Sequence, residues 1–528
     1  MLSGLGYQNV TGSTPAASVG ALPLPALDRL VMAYLALPLA IFLVGWLQLW
    51  VALPLLACLA YCLRPLLGTV ATGSQVVPVT RLHLIIAIAA GLAWTYFGGT
   101  AHFVFANADW HVRDAVLHDL VLSPWPVGYG PVDGHESMLR APLAYYLPAA
   151  VVGKFAGLGA AHITLATWTA IGASLFLLQV LSLTPSRAGV ALFVATVVVF
   201  FSGLDIIGNL INFGPRFVAL WHIENHLEWW AGSYQYSSMT TQLFWVPNHA
   251  LSGWLTIGLL CRDRQGTPLD AMLPIVIVAS ALWSPLTMLG AVPFVLWKIC
   301  AAMLRDRSFS LLHPRVWAPA LIIGIAVAGY LMLDPGNIPK GWIVGAGGES
   351  FVDSLLRQAQ FFLLEAGLIG FAIIALQNSS QLLLALAILA ILPIAQFGPG
   401  NDLVMRGSIP SLVVLLIAAC LAIVAKTPDI HGRRKKFALA FLLLVGAVTP
   451  VQEFARAVML PAWPINFDAT LIGVSCGGFA PHYVARLGGE FATRLLREPH
   501  RLDLGPQGRA VCTNPAWSLM YKHGLLDI

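Results

Sequence analysis

The chain has 528 residues, 58% of them hydrophobic and 10% charged, with a mean hydropathy of +0.78. That length would fit two or more soluble domains, but this composition excludes them and describes a polytopic membrane protein. A formal net charge of +5 is too small to point to nucleic acid, and no Gly-rich phosphate loop indicates a nucleotide-driven pump.

Residues 1–27 are polar and then rich in Gly, Ala and Pro, without the basic-apolar-cleavage pattern of a removable signal. They are expected to form a cytoplasmic segment ahead of a membrane domain at 28–449. The run 30–63 is too long for one span, since about 20 residues cross a bilayer core. Pro38, Gly45 and Pro54 interrupt it, so two helices with a tight turn near 46–50 are expected. Further spans fall at 84–105, 162–183, 188–204, 245–261, 271–284, 285–304, 316–333, 356–376, 380–396, 408–425 and 437–449. The fold class expected is all-α, with about 13 transmembrane helices. Pro142 to Leu158 is expected not to cross but to lie at the membrane edge or re-enter.

Basic residues fix the orientation. With the N-terminus in the cytoplasm, Arg64, Arg81, Arg187, Arg262, Arg264, Arg305, Arg307, Arg315, Lys426 and Arg433 to Lys436 all fall on the cytoplasmic side. The other side receives 106–161, 205–244, 334–355, 397–407 and 450–528, which hold most of the acids. From Pro450 onward the long apolar runs stop, and a small extracytoplasmic region of mixed structure is expected. Its Cys476 and Cys512 could pair there. No C-x-x-C is present, and the other five cysteines lie in or beside apolar spans.

The chemistry-bearing residues collect in the loop after 84–105. Between Asn107 and Tyr146 stand five acids, three histidines and two arginines, interleaved with Trp, Tyr and Pro. Ionisable groups beside a span are functional-site candidates, although a solvated loop is the plainer alternative. Asp109, in Asn107-Ala-Asp-Trp, stands at the water–lipid boundary, where a carboxylate can take a proton or hold a hydroxyl. Trp110, His111 and Asp114 follow within a turn or so. Residues 115–121 have helical spacing, with Val116, Leu117 and Leu120 on one face and His118 and Asp119 on another, as in a helix lying flat on the membrane surface. Arg140-Ala-Pro-Leu-Ala-Tyr-Tyr closes the loop, and Lys154 follows.

This layout resembles the GT-C superfamily of integral-membrane glycosyltransferases, which transfer a sugar from a polyprenyl-phosphate carrier on the outer face of the membrane. Asp109 and Arg140-Ala-Pro-Leu-Ala-Tyr-Tyr, 31 residues apart, fill the places of the family's first-loop acid and its basic, aromatic-rich segment. The resemblance covers about residues 84–260. It implies juxtamembrane helices in the first external loop, Asp109 as catalytic carboxylate, Arg140 at the lipid phosphate, and Asp205 in the place of the family's second acidic motif. It also implies a bacterial inner-membrane enzyme working on the extracytoplasmic side, with a polyprenyl-phosphate-sugar donor and a glycan, lipid or protein acceptor. Some relatives use a divalent metal; with only Asp109, Asp205 and scattered acids here, no metal or other cofactor is expected.

The second loop mixes rings with polar groups, among them Glu224, Trp229 and Tyr234. Sugars favour such mixtures, and so does an interfacial aromatic belt. His222 and His226 have the spacing of a helical metal pair without the order of a zinc-protease motif. Asn248 and His249 then enter a span, where a polar pair is either satisfied internally or in contact with ligand. Arg406 opens a later span next to Asp402. It is either that acid's partner or a ligand for the donor phosphate, whose shape a guanidinium matches. A polymerase or O-antigen-ligase-like enzyme, relying on Arg406 and His482, is the alternative enzyme class; a lipid-linked-glycan flippase is the alternative outside enzymes.

Overall fold

The computed structural model describes residues 24–67, 79–132, 134–214, 216–217, 221–262, 270–306, 309–343, 350–474, 482–488 and 494–502. Cys476 and Cys512, the segment before Leu24 expected to be cytoplasmic and the end of the chain lie outside them. Among the described residues, nine helices are long and apolar enough to cross a membrane, from Ala26–Trp46 and Leu49–Leu67 to Asp402–Val424 and Ile430–Met459. Arg81–Phe97, Leu273–Trp283 and Ser380–Ile394 are apolar but shorter, and Pro247–Arg262 has 16 residues. The expected count of about 13 thus rests on four helices shorter than a full crossing.

The first apolar run does divide in two. Pro38 and Pro54 are absorbed inside helices, as lipid-embedded prolines commonly are. The break comes at Leu47 and Gln48, where a distant C-terminal segment fastens it: Gln48 N–H donates to the Leu495 carbonyl at 3.0 Å and Leu47 bridges Leu496. Leu147–Ala156 is a ten-residue helix, about 15 Å long at 1.5 Å per residue, too short to cross. A single residue, Gly157 at φ +85°, joins it to Leu158–Leu181, and only glycine takes that backbone without strain.

Rings and their polar tips organise the core. Tyr34 stacks on Trp168 at 4.0 Å, beside Trp283. Trp94 stacks on Trp254 at 5.1 Å; their indole N–H groups donate to Thr240 Oγ1 and Gln242 Oε1. Hydrocarbon offers no other partner for such groups.

One expectation about the extramembrane parts is corrected. The first-loop helix begins at Asp109 and runs to Leu122 with both faces covered: His118 and Asp119 are as buried as Val116 and Leu120. It does not lie flat with a solvated side, because Leu147–Ala156 and the C-terminal Leu471–Val474 pack over it. The C-terminal region also packs onto the first loop through strands. The first loop forms a hairpin, Val127–Val132 with His135–Leu139, and C-terminal strands extend it on both edges. Val484–Arg486 pairs antiparallel with His135–Leu139, and His500–Arg501 pairs parallel with Val127–Val132. A four-stranded sheet is therefore set into a mainly helical molecule.

Hydrogen bonds gather the five loops assigned to one side onto one face. Asn107 donates to the Phe244 carbonyl, Asn401 to the Ser233 carbonyl, and Arg486 to the Asp334 carboxylate. Lys340–Trp342 pairs with Ala395–Phe397. At the opposite end Arg262 pairs with Asp28 at 3.0 Å, while Lys435 and Lys436 cap the carbonyls of Ala375 and Ile423.

Candidate functional site

Asp109 opens its helix, and Arg113 stands one turn later on the same side. Its guanidinium, 4% exposed, donates to Asp109 Oδ2 at 3.4 Å, Asn248 Oδ1 at 3.1 Å, the Tyr146 hydroxyl at 3.3 Å and the Trp245 carbonyl at 2.5 Å. Burial works against its charge, but the Tyr146 hydroxyl and the Asp109 carboxylate outweigh it, and the group is held above its ordinary value. The Asp109 side chain is 41% exposed. A fixed buried cation thus aims a carboxylate that remains open to the outside.

From Asn248 a polar chain crosses to Arg406. The Asn248 amide meets His249 Nε2 at 3.3 Å, His249 Nδ1 meets Ser284 Oγ at 2.7 Å, and Ser284 bonds Thr287, which donates to the Arg406 carbonyl at 3.2 Å. Gly290 packs directly on the Gly407 carbonyl, a close approach only a residue without Cβ permits. Arg406 pairs with Asp402 at 2.9 Å, and its Nε has no hydrogen-bond partner among the described residues. Both Asn248 and His249 are satisfied internally.

The C-terminal strand brings a third part. Arg140 N–H donates to the Tyr483 carbonyl at 2.7 Å, continuing the ladder that pairs Leu139 with Val484. Tyr483 thereby comes within electrostatic reach of Arg113, Asp109, Arg406 and Asp402, and its phenol is pushed up, chiefly by burial. His482 beside it is pushed down to about 4 by burial and then by Arg406 and Arg140, so it is neutral at pH 7. Burial also lowers Arg140, against Tyr330 and Asp334. Asp109, Asn248, His249 and Arg406 therefore meet in one neighbourhood, together with Arg113, Tyr146, Asp402 and Tyr483, and Arg140 borders it through its backbone bond to Tyr483 and its reach to His482.

The other candidates lie elsewhere. Lys154 donates to the carbonyls of Val121 and Ser123 and covers the Trp125 ring, an anchoring position under the first loop. Trp110 is buried and donates to the Phe244 carbonyl. Asp114 is buried against His102 at 2.9 Å and His162 at 3.8 Å. Tyr234 packs on Phe361. His111 stacks on Trp463 at 3.9 Å, Trp229 stacks on buried His226 at 5.0 Å, and Glu224 is exposed on the second loop.

Asp205 is not at Asp109's site but in a second, fully buried acidic group. Its Oδ2 accepts from Ser202 and Thr449, and the Glu365 carboxyl, on a π-turn at Leu363–Gly367 and holding the Trp230 indole, comes within electrostatic reach of it. Glu228, nearby, accepts from Ser238 N–H and Gln235, and is pushed up to about 8 by burial and then by Asp205. The acids missing beside Asp205 in the sequence are supplied by residues far along the chain. Among the described residues, no group of three or more His, Cys, Asp or Glu is arranged to hold a metal ion.

Arg113 had a signal in the sequence, its i,i+4 spacing from Asp109; Tyr483 and Glu365 had none. Comparison with known proteins places the chain in no family: no family model, no curated protein and no solved structure matches it.

Proposed function

We propose that this chain is a GT-C-like membrane glycosyltransferase that moves a sugar from a polyprenyl-phosphate donor to a glycan, lipid or protein acceptor. In this reading it lies in a bacterial inner membrane with about 13 spans, the N-terminus in the cytoplasm, and the site and residues 450–528 outside. The observation that carries it is an open carboxylate, Asp109, held by a buried guanidinium beside a second guanidinium, Arg406, on the face where the loops meet. Loops lined with ionisable groups over nearly uncharged spans suit chemistry at an interface better than transport across it.

The acceptor hydroxyl gives its proton to Asp109 as its oxygen attacks the anomeric carbon. The bond from that carbon to the phosphate oxygen breaks, and the lipid phosphate leaves with its electron pair. Arg406, with Arg140, stabilises the charge that develops there. Arg113 orients Asp109 and keeps it from turning toward Arg406.

The proximity of His482 to Arg406 and Arg140 favours one second reading, a ligase-like enzyme in which neutral His482 takes the acceptor proton. Transfer from a polyprenyl-phosphate sugar, followed with purified protein, separates the two. Asp109→Asn abolishes transfer in the first reading. Full activity in that variant with none in His482→Ala would establish the second. A wild-type protein inert toward such donors would refute both.

A further inference from the structure

We propose that Tyr483 is a ligand for the donor phosphate, delivered by the C-terminal strand, so that the site is built from both ends of the chain. This rests on the glycosyltransferase reading above.

The strand register places the residue. Ser137, Met138 and Leu139 pair with Arg486, Ala485 and Val484, and Tyr483 falls across from Arg140. The register is pinned twice. Arg486 holds Asp334 through two nitrogens, at 2.9 and 3.2 Å. Leu487 N–H donates to the Glu136 carbonyl at 2.6 Å. A slip of one residue would turn Tyr483 to the other face of the sheet.

A phenol set among two carboxylates and two guanidiniums is a poor choice for packing alone, which Phe would serve. A phenol keeps its proton at neutral pH, and burial pushes it further in that direction, so it is an O–H donor without charge. Of the groups around it, Asp109 and Asp402 already have guanidinium partners. A phosphate on Arg406 would accept from this hydroxyl, and three donors on one anion bind it more tightly and more selectively than two.

The C-terminal segment that carries the tyrosine is strapped to the first loop before it reaches the site. Trp463 donates to the Ala106 carbonyl and packs between His102 and His111. Leu471 N–H donates to buried Asp119 at 3.0 Å. The strap and the sheet together fix the phenol over the span ends.

The test uses the full-length protein in nanodiscs, with dodecyl phosphate as probe and dodecanol as the uncharged control, binding being followed by calorimetry. Tyr483→Phe is expected to weaken dodecyl phosphate roughly 10- to 100-fold, the range for one hydrogen bond to a charged group, with dodecanol unaffected. Wild-type affinity in Tyr483→Phe overturns the inference while leaving the donor site intact. Failure of the wild-type protein to bind dodecyl phosphate overturns the phosphate reading of the whole site and Tyr483 with it. 3-Fluorotyrosine at position 483 keeps the size of the ring and lowers the phenol's own pKa. The alkaline limb of dodecyl phosphate binding then moves to lower pH; an unmoved limb counts against a bonded hydroxyl.

Discussion

Arg113 is where a single side chain decides most. Its donors serve a carboxylate, an amide, a phenol and a backbone carbonyl in four directions, which a planar guanidinium can do and a point-like ammonium cannot. Arg113→Lys should therefore strand buried acceptors at about 1–3 kcal/mol each. A clear drop in melting temperature is expected together with loss of transfer; a variant that melts with the wild type would show these bonds to be incidental. Glu228 makes a pH prediction. Its carboxyl titrates at about 8 in the folded protein against an ordinary 4.5. Because the folded value is raised, the stability linked to its proton is complete below about 4.5 and is lost as pH rises through about 8. Glu228→Gln has no proton to lose and should flatten the fall in melting temperature over that window. An equally steep fall in the variant would assign the titration to another group.

At the scale of elements, the buried first-loop helix is a clamp. Asp119 accepts from His118, the Tyr129 hydroxyl and Leu471 N–H at 2.9, 2.9 and 3.0 Å, tying helix, hairpin and C-terminal strap at one carboxylate. Asp119→Ala leaves those donors buried without a partner. Faster hydrogen exchange is expected at Leu471–Val474 and, through the shared sheet, at Val484–Arg486. Unchanged exchange at both would mean that apolar packing alone seats the strap. The short helix Leu147–Ala156 belongs to the same layer: Gly153 rests on Val121 and Ala161, so this helix supports the clamp.

At the scale of the whole molecule, two faces of different chemistry follow from the loop assignments. One carries both sheets and the Asp109 site; the other carries Arg262, Lys435 and Lys436. In the orientation proposed above, which follows the positive-inside rule, the second face is the cytoplasmic one. In a background without native cysteines, Ser350→Cys should react with an impermeant maleimide in intact cells, and Lys426→Cys only after permeabilisation. The reverse pattern would invert the protein and put the site in the cytoplasm.

The apolar helices, the division of 30–63 and the sidedness of the loops were legible in the chain itself. Each membrane segment must satisfy its backbone and meet lipid by its own composition, so local hydropathy records it. Asp109, Arg140 and Arg406 stood out for a related reason: a charge at a span end in so apolar a chain is conspicuous. The partners of those charges were not legible. Glu365 beside Asp205, Tyr483 beside Arg406 and the strand from Val484 beside the first loop each join segments scores to hundreds of residues apart. Nothing local encodes such contacts, because they depend on which helices pack together and at what height. The tertiary structure alone also placed Trp110 and Asp114 inside, the indole on the Phe244 carbonyl and the carboxylate against His102 and His162, and tied the Lys154 ammonium to the carbonyls of Val121 and Ser123.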